Sequence, residues 1–175
     1  MAVKDMAVAV AIAALLVAAS AVGVALARAR RGVALLPALV AAGIDAALVL
    51  ALITVGVLTL WPAADDPTDR ARLILVPFRS SPGNLVGNVL LFLPVGAFAA
   101  LRLPVFDSAR RTGLAAAALS LSVEAVQYLF VPGRHADITD VIGNTAGALL
   151  GYLAVTRALA TSAFVRGLRR PPRNG

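Results

Sequence analysis

This sequence contains no cysteine and a single histidine, His135. The absence of cysteine excludes disulfide bonds, thiol catalysis and a cysteine-ligated zinc site. One histidine cannot build a multi-histidine metal centre, and the chain has neither a P-loop nor a dinucleotide-binding glycine motif. Nucleotide chemistry and a metal centre of nitrogen and sulfur ligands are therefore not expected.

Charged and aromatic residues are also scarce, at 14% and 5%, whereas hydrophobic residues make up 60% of the 175 residues and the mean hydropathy is +0.89. This composition lies outside the range of soluble domains and indicates an integral membrane protein. About 18 apolar residues can cross the ~30 Å hydrocarbon layer as a helix, and no segment alternates as barrel strands do. We predict an all-α, polytopic membrane bundle, residues 1–175 forming one domain with about five transmembrane helices over 6–27, 33–61, 85–101, 113–131 and 138–155.

The basic residues are concentrated on one side of the predicted bundle. The loops after the first and third helices and the segment after the fifth hold 11 of the 16 Lys and Arg residues, and the opposite side holds 5. The positive-inside rule then places the amino terminus outside the cell membrane and the carboxyl terminus in the cytoplasm. The first apolar run is longer than that of a signal peptide, so we expect a retained helix.

The net charge of +7 is explained by this topology and does not predict a nucleic-acid partner. The basic tail, residues 157–175, is expected to lie on the cytoplasmic side, where anionic lipid attracts it.

Polar residues of the predicted helices fall in the outer half of the bundle. Three helices each carry a pair at helical spacing, namely Asn84 with Asn88, Glu124 with Gln127, and Asp140 with Asn144. Arg79, Arg134 and Asp137 lie in the two loops at the same end. A carboxylate inside a transmembrane helix costs about 2–3 kcal/mol and usually marks function. We therefore predict one shared site, with helices four and five facing each other across it and Asn88 opposite.

Structural roles compete with function at several positions. Asp137 and Asp140 are spaced as N-cap and N3 residues of the fifth helix, and Asn84 is placed to cap the third. Asn88 could serve to bridge two helices by hydrogen bonds. A four-residue repeat of glycine on the fifth helix predicts close backbone packing, at Gly143, Gly147 and Gly151.

Two carboxylates within the predicted spans need partners. For Glu124 the structural alternative to a functional role is a buried ion pair with Arg134 or Arg79. Asp45 lies in the middle of the second helix with no polar neighbour at helical spacing. It either lines the same site from below or faces a polar group on the third helix.

Three ordered motifs carry a resemblance to a known family. The first, over residues 77–96, contains two asparagines four residues apart; the second, over 120–127, has the pattern Ser-x-x-x-Glu-x-x-Gln; the third, over 133–151, contains Arg-His-Ala-Asp and the repeated glycines. Residues 77–155 thereby resemble the VanZ-like membrane proteins. The resemblance implies a shared set of polar positions, namely Asn84, Asn88, Glu124, Gln127, Arg134, Asp137, Asp140 and Asn144. It also implies a cell-envelope role, because the family is named for a teicoplanin-resistance accessory protein, but no particular reaction.

Two mechanisms remain open, one of binding and one of catalysis. In the favoured one, Arg79 and Arg134 contact an anionic envelope-lipid headgroup, or a lipid-linked or lipoglycopeptide ligand, at the outer interface, and no cofactor is needed. In the alternative, Glu124, Asp137 and Asp140 hold a divalent cation against a polyprenyl or phospholipid phosphate. His135 or Glu124 would then act as acid or base.

Overall fold

Five long helices make up most of the computed structural model, which describes residues 3–60, 73–78, 81–131 and 134–168. They are α1 (Val3–Arg30), α2 (Leu35–Leu60), α3 (Pro82–Arg102), α4 (Ala109–Phe130) and α5 (Ile138–Leu168). All five are long and apolar enough to cross a membrane. Large apolar side chains such as Leu15, Leu90 and Phe130 are exposed on the outer surface, where they are available to lipid. The predicted all-α membrane bundle is confirmed.

Two serines set where α3 and α4 begin. Ser81 Oγ accepts a hydrogen bond from the backbone N of Asn84, and Pro82 supplies the fixed φ angle of a first helical position. Ser108 caps α4 in the same way, through the backbone N of Arg111. The expectation that Asn84 caps α3 is therefore wrong, because the cap lies three residues earlier. Both helices begin before their apolar runs, since a cap is polar and hydropathy does not detect it.

The last helix is longer than its apolar run. We predicted an end at residue 155, but α5 continues to Leu168 and includes the first part of the basic segment 157–175. The rest of that segment, residues 169–175, lies outside the described residues.

Glycines bring the backbones of α3 and α5 into direct contact. A Cβ on Gly147 would overlap the carbonyl oxygen of Val89, and a Cβ on Gly151 would lie 2.8 Å from the backbone N of Ala97. At Gly143 a Cβ would lie 3.1 Å from Asn88 Cβ. Because the approaches at Gly147 and Gly151 leave no room for a methyl group and the one at Gly143 is tight, the small-residue stripe predicted on the fifth helix does pack closely.

The helix order places α5 at the centre of the polar half of the bundle. Helices α3 and α4 both pack against α5 but touch each other little, and α2 lies across the gap on the α3 side. Helix α1 packs on α2. An apolar core cluster joins α2, α3, α4 and α5 below the gap, through Ala51, Val55, Phe92, Val95, Ala116 and Ala148. The gap above this cluster is where the polar side chains lie.

Two short parallel strands, which we did not predict, tie the loops together at this end. Strand β1 (Leu73–Ile74) pairs with β2 (Ala136–Asp137), so that Ile74 lies beside Asp137. The backbone N of Phe78 also donates to Thr139 Oγ1 at 2.9 Å. Strands of two residues have no periodicity to detect, yet this pairing fixes the start of α5.

Candidate functional site

A cavity of about 310 Å³ lies where α3 and α5 begin and where α2 and α4 end. Its lining residues are Leu58, Thr59, Gly83, Asn84, Gly87, Asn88, Leu91, Glu124, Gln127, Arg134, Asp140 and Asn144. We call it the polar cavity. It brings together seven of the nine predicted site residues; Asp137 is buried next to it, and Arg79 lies outside the described residues.

Glu124 is held inside the bundle by the backbone of the neighbouring loop. Its side chain is 6% exposed, and Oε2 accepts a hydrogen bond from the backbone N of Asp137 at 2.9 Å. Asp137 Oδ1 in turn accepts a hydrogen bond from the backbone N of Thr139 at 2.8 Å. Thr139 is the second residue of α5. The predicted capping geometry of Asp137 is therefore present. Glu124 thus lines the polar cavity while Asp137 organises the wall behind it.

Buried hydrogen bonds also fix the two amides on this side of the cavity. Asn144 Nδ2 donates to Ser120 Oγ at 2.8 Å, which links α5 to α4. Gln127 Nε2 donates to the carbonyl oxygen of Thr59 at 2.6 Å. Each amide is therefore held in one orientation by a neighbouring helix.

The end of α2 contributes backbone atoms that sequence reasoning missed. The last carbonyls of a helix have no partner within it. In α2, two of these carbonyl oxygens accept hydrogen bonds from side chains of the polar cavity. The Thr59 oxygen accepts from Gln127 Nε2, and the Leu58 oxygen accepts from Arg134 Nη2 at 3.1 Å. The sequence signal was weak, because these acceptors belong to the backbone and lie at the end of an apolar run.

Helix α3 forms the opposite wall. Asn88 lines the cavity from α3, and Asp140 lines it from α5. Asn84 lines the cavity one turn earlier. Both asparagines therefore face the cavity, as their four-residue spacing predicts.

The charges of the cavity are mixed. Glu124 and Asp140 line it with Arg134, and the buried Asp137 lies behind Glu124. Within the described ranges, no group of three or more His, Cys, Asp or Glu side chains is arranged to hold a metal ion. The wall therefore offers hydrogen-bond acceptors from carboxylates and amides, and a guanidinium beside them.

Asp45 belongs to a different place. It forms ion pairs with Arg28 Nη2 at 3.3 Å and with Arg102, whose Nη2 donates at 2.9 Å. These partners end α1 and α3, so Asp45 does face a polar group on the third helix, and the alternative that it lines the polar cavity from below is wrong. Arg28 and Asp45 instead border a mainly apolar cavity of about 410 Å³ between α1 and α2. The positive-inside rule accounts for both arginines without these ion pairs, which the sequence did not predict.

The comparison with known protein families agrees with the resemblance found in the sequence. The family model described as VanZ/LLP1 matches residues 48–160, which is well over half of the chain. This chain belongs to the VanZ/LLP1 family. The VanZ/LLP1 match begins within α2 and so includes Leu58 and Thr59, whereas the motifs recognised in the sequence began at residue 77.

One curated relative is named Protein VanZ, from Enterococcus faecium. It is 35% identical over 82 residues, which cover 45% of this chain and 49% of that protein. The chain thus spans about half the length of the relative it matches. No solved structure matches the chain significantly.

Proposed function

We propose that this VanZ-family membrane protein has a cell-envelope role and binds the headgroup of an amphiphile in the polar cavity. The bound molecule is an envelope lipid with an anionic headgroup or an amphiphilic antibiotic of the glycopeptide type. Arg134 contacts the anionic group at the edge of the cavity, where its guanidinium lies beside the end of α2.

The observation that carries this proposal is a polar cavity within spans that are otherwise apolar. Glu124, Gln127 and Asn144 are each more than nine-tenths buried inside helices long enough to cross a membrane. A carboxylate such as that of Glu124 costs about 2–3 kcal/mol on insertion into a membrane. Polar groups within spans mark sites by default, and these line one cavity.

The size of the cavity limits what enters it. A volume of about 310 Å³ is at the lower end of the range for small-molecule sites. It accommodates a lipid headgroup or one substituent of an antibiotic, while the apolar part of the ligand stays against the lipid-facing helices.

Orientation forms part of the proposal. The 11 to 5 distribution of basic residues supports a position of the polar cavity in the outer leaflet, with the amino terminus outside and the carboxyl terminus in the cytoplasm. A ligand in this position would be met from the cell surface, as a response to a glycopeptide requires.

Lipid retention by the purified full-length chain tests the proposal. We would exchange the chain into nanodiscs containing phosphatidylglycerol and count retained lipid by native mass spectrometry for Arg134→Gln, Arg134→Lys and the exposed control Arg110→Gln at the opposite end. Arg134→Gln should reduce retention about tenfold, the loss expected for one charge-assisted contact. Arg134→Lys should keep part of it, and the control should behave as wild type.

Melting temperatures measured in parallel separate binding from folding, because Arg134 also contacts Leu58 O. Unchanged retention in a folded Arg134→Gln variant would contradict the proposal. Chelator-sensitive phosphate release from a polyprenyl phosphate by the wild-type chain would instead support the catalytic alternative.

A further inference from the structure

Some hydrogen-bond acceptors on the wall of the polar cavity have no donor among the described residues. Three side-chain oxygens on its wall are buried and have no hydrogen-bond partner within the described residues: Gln127 Oε1, Asp140 Oδ1 and Asn144 Oδ1. The Gln127 and Asn144 side chains are 4% and 1% exposed. An unsatisfied buried acceptor destabilises the folded chain, and a ligand that donates a hydrogen bond to it removes this penalty.

The nitrogen atoms of the Gln127 and Asn144 amides are already hydrogen-bonded within the protein. Gln127 Nε2 bonds to the backbone carbonyl of Thr59, and since a carbonyl can only accept, Oε1 is the atom without a partner. Asn144 Nδ2 donates to Ser120 Oγ, and Asn144 Oδ1 has no hydrogen-bond partner among the described residues. The amides therefore contribute oxygen atoms to the cavity.

The charges are unbalanced in the same direction. Among the described residues that line the cavity, Glu124 and Asp140 are acidic and Arg134 is basic. Carboxylates withdrawn from water need nearby positive charge and hydrogen-bond donors. A cation in the cavity would supply both.

We propose that the polar cavity binds a cationic group through Asp140 Oδ1, Asn144 Oδ1 and Gln127 Oε1, with the Glu124 carboxylate on the same wall. Asp140 and Asn144 lie one turn apart on the same face of α5. Carboxylate and amide oxygens suit a primary ammonium group or a hard divalent ion. The donor set does not suit a zinc-type centre, because its ligand atoms are oxygens and the lining residues include no histidine or cysteine.

We expect the cationic group to be the ammonium of a zwitterionic lipid headgroup. This rests on the proposed function, because the phosphate of the same headgroup is assigned to Arg134. A primary ammonium has three N–H donors, and the cavity offers three unpartnered acceptors. Phosphatidylethanolamine carries both groups on one short headgroup.

Two lipids that differ in the N–H groups of the headgroup nitrogen test whether hydrogen-bond donors are required for binding. Phosphatidylethanolamine and phosphatidylcholine share the phosphate and the positive charge, but the choline nitrogen has no N–H. We would measure retention of each by the full-length chain in nanodiscs, for wild type, Asp140→Asn and the exposed control Asp107→Asn. Wild type should retain phosphatidylethanolamine about tenfold better than phosphatidylcholine, and Asp140→Asn should lose this preference. Asp107→Asn should keep it.

A second arm uses calcium chloride without added lipid, to detect a free ion as the source. A rise in melting temperature with calcium in wild type and not in Asp140→Asn would support a cation site occupied by a metal ion. Equal retention of the two lipids together with no calcium effect would overturn the inference. That result would leave the proposed function standing if Arg134→Gln still reduced phosphatidylglycerol retention, so the two failures are distinguishable.

Discussion

The backbone contact between α3 and α5 predicts that Gly147→Ala strongly destabilises the bundle. A Cβ at this position would overlap the carbonyl oxygen of Val89 and lie 2.9 Å from its carbonyl carbon. Both are backbone atoms, so no side-chain rotation relieves the overlap, and the helices must separate by about 1 Å. Overpacking usually costs 1–3 kcal/mol, and two stiff helices place this case at about 3 kcal/mol. Because Asn88 precedes Val89, the separation also disturbs the polar cavity and should reduce lipid retention.

Unfolding of the purified chain in mixed micelles of increasing sodium dodecyl sulfate fraction, followed by circular dichroism, measures the change. Gly43→Ala is the matched control, because a Cβ there meets nothing within 4 Å. Alanine is the better helix former by about 1 kcal/mol, so this control should be at least as stable as wild type. Equal free energies of unfolding for the two variants would refute the close contact of α3 and α5.

Three further predictions concern charge and orientation. Glu124→Gln keeps the shape but removes the charge, so we expect at least about fivefold lower lipid retention by native mass spectrometry and a weaker cellular response to a teicoplanin-type glycopeptide; an unchanged phenotype would leave Glu124 as a packing residue. Asp45→Asn removes half-exposed ion pairs and should lower the free energy of unfolding by about 1 kcal/mol while lipid retention stays at the wild-type value, and lost retention would place Asp45 in the site. Single cysteines at the equivalent cap positions Ser81 and Ser108 test orientation: an impermeant thiol reagent on intact cells should label Ser81→Cys, and labelling of Ser108→Cys instead would invert the topology.

Much of this fold follows from hydropathy, because lipid leaves few choices for an apolar chain. Five apolar runs predicted five helices, and the glycine repeat predicted the face of α5 that meets α3. Polar residues at helical spacing predicted a shared site, and Asn88, Glu124 and Asn144 do line one cavity. A polar side chain in a span must face protein, and three helices with polar ends on one side leave one place for them to meet.

What the sequence did not reveal belongs to backbone atoms and to distant partners. The Ser81 cap and the two-residue strands depend on local hydrogen bonds that hydropathy does not detect. The carbonyl of Thr59 joins the cavity because α2 ends there, not because of its side chain. Asp45 is 57 residues from Arg102, and no local pattern connects them.

A crystal structure of the full chain grown in a lipidic mesophase that contains phosphatidylglycerol would test the binding proposal most directly. Our account predicts electron density for a lipid phosphate within hydrogen-bonding distance of the Arg134 guanidinium, with the headgroup extending into the cavity toward Asn88 and Asp140. Ordered lipid at other surfaces of the bundle, with water alone in the polar cavity, would contradict it.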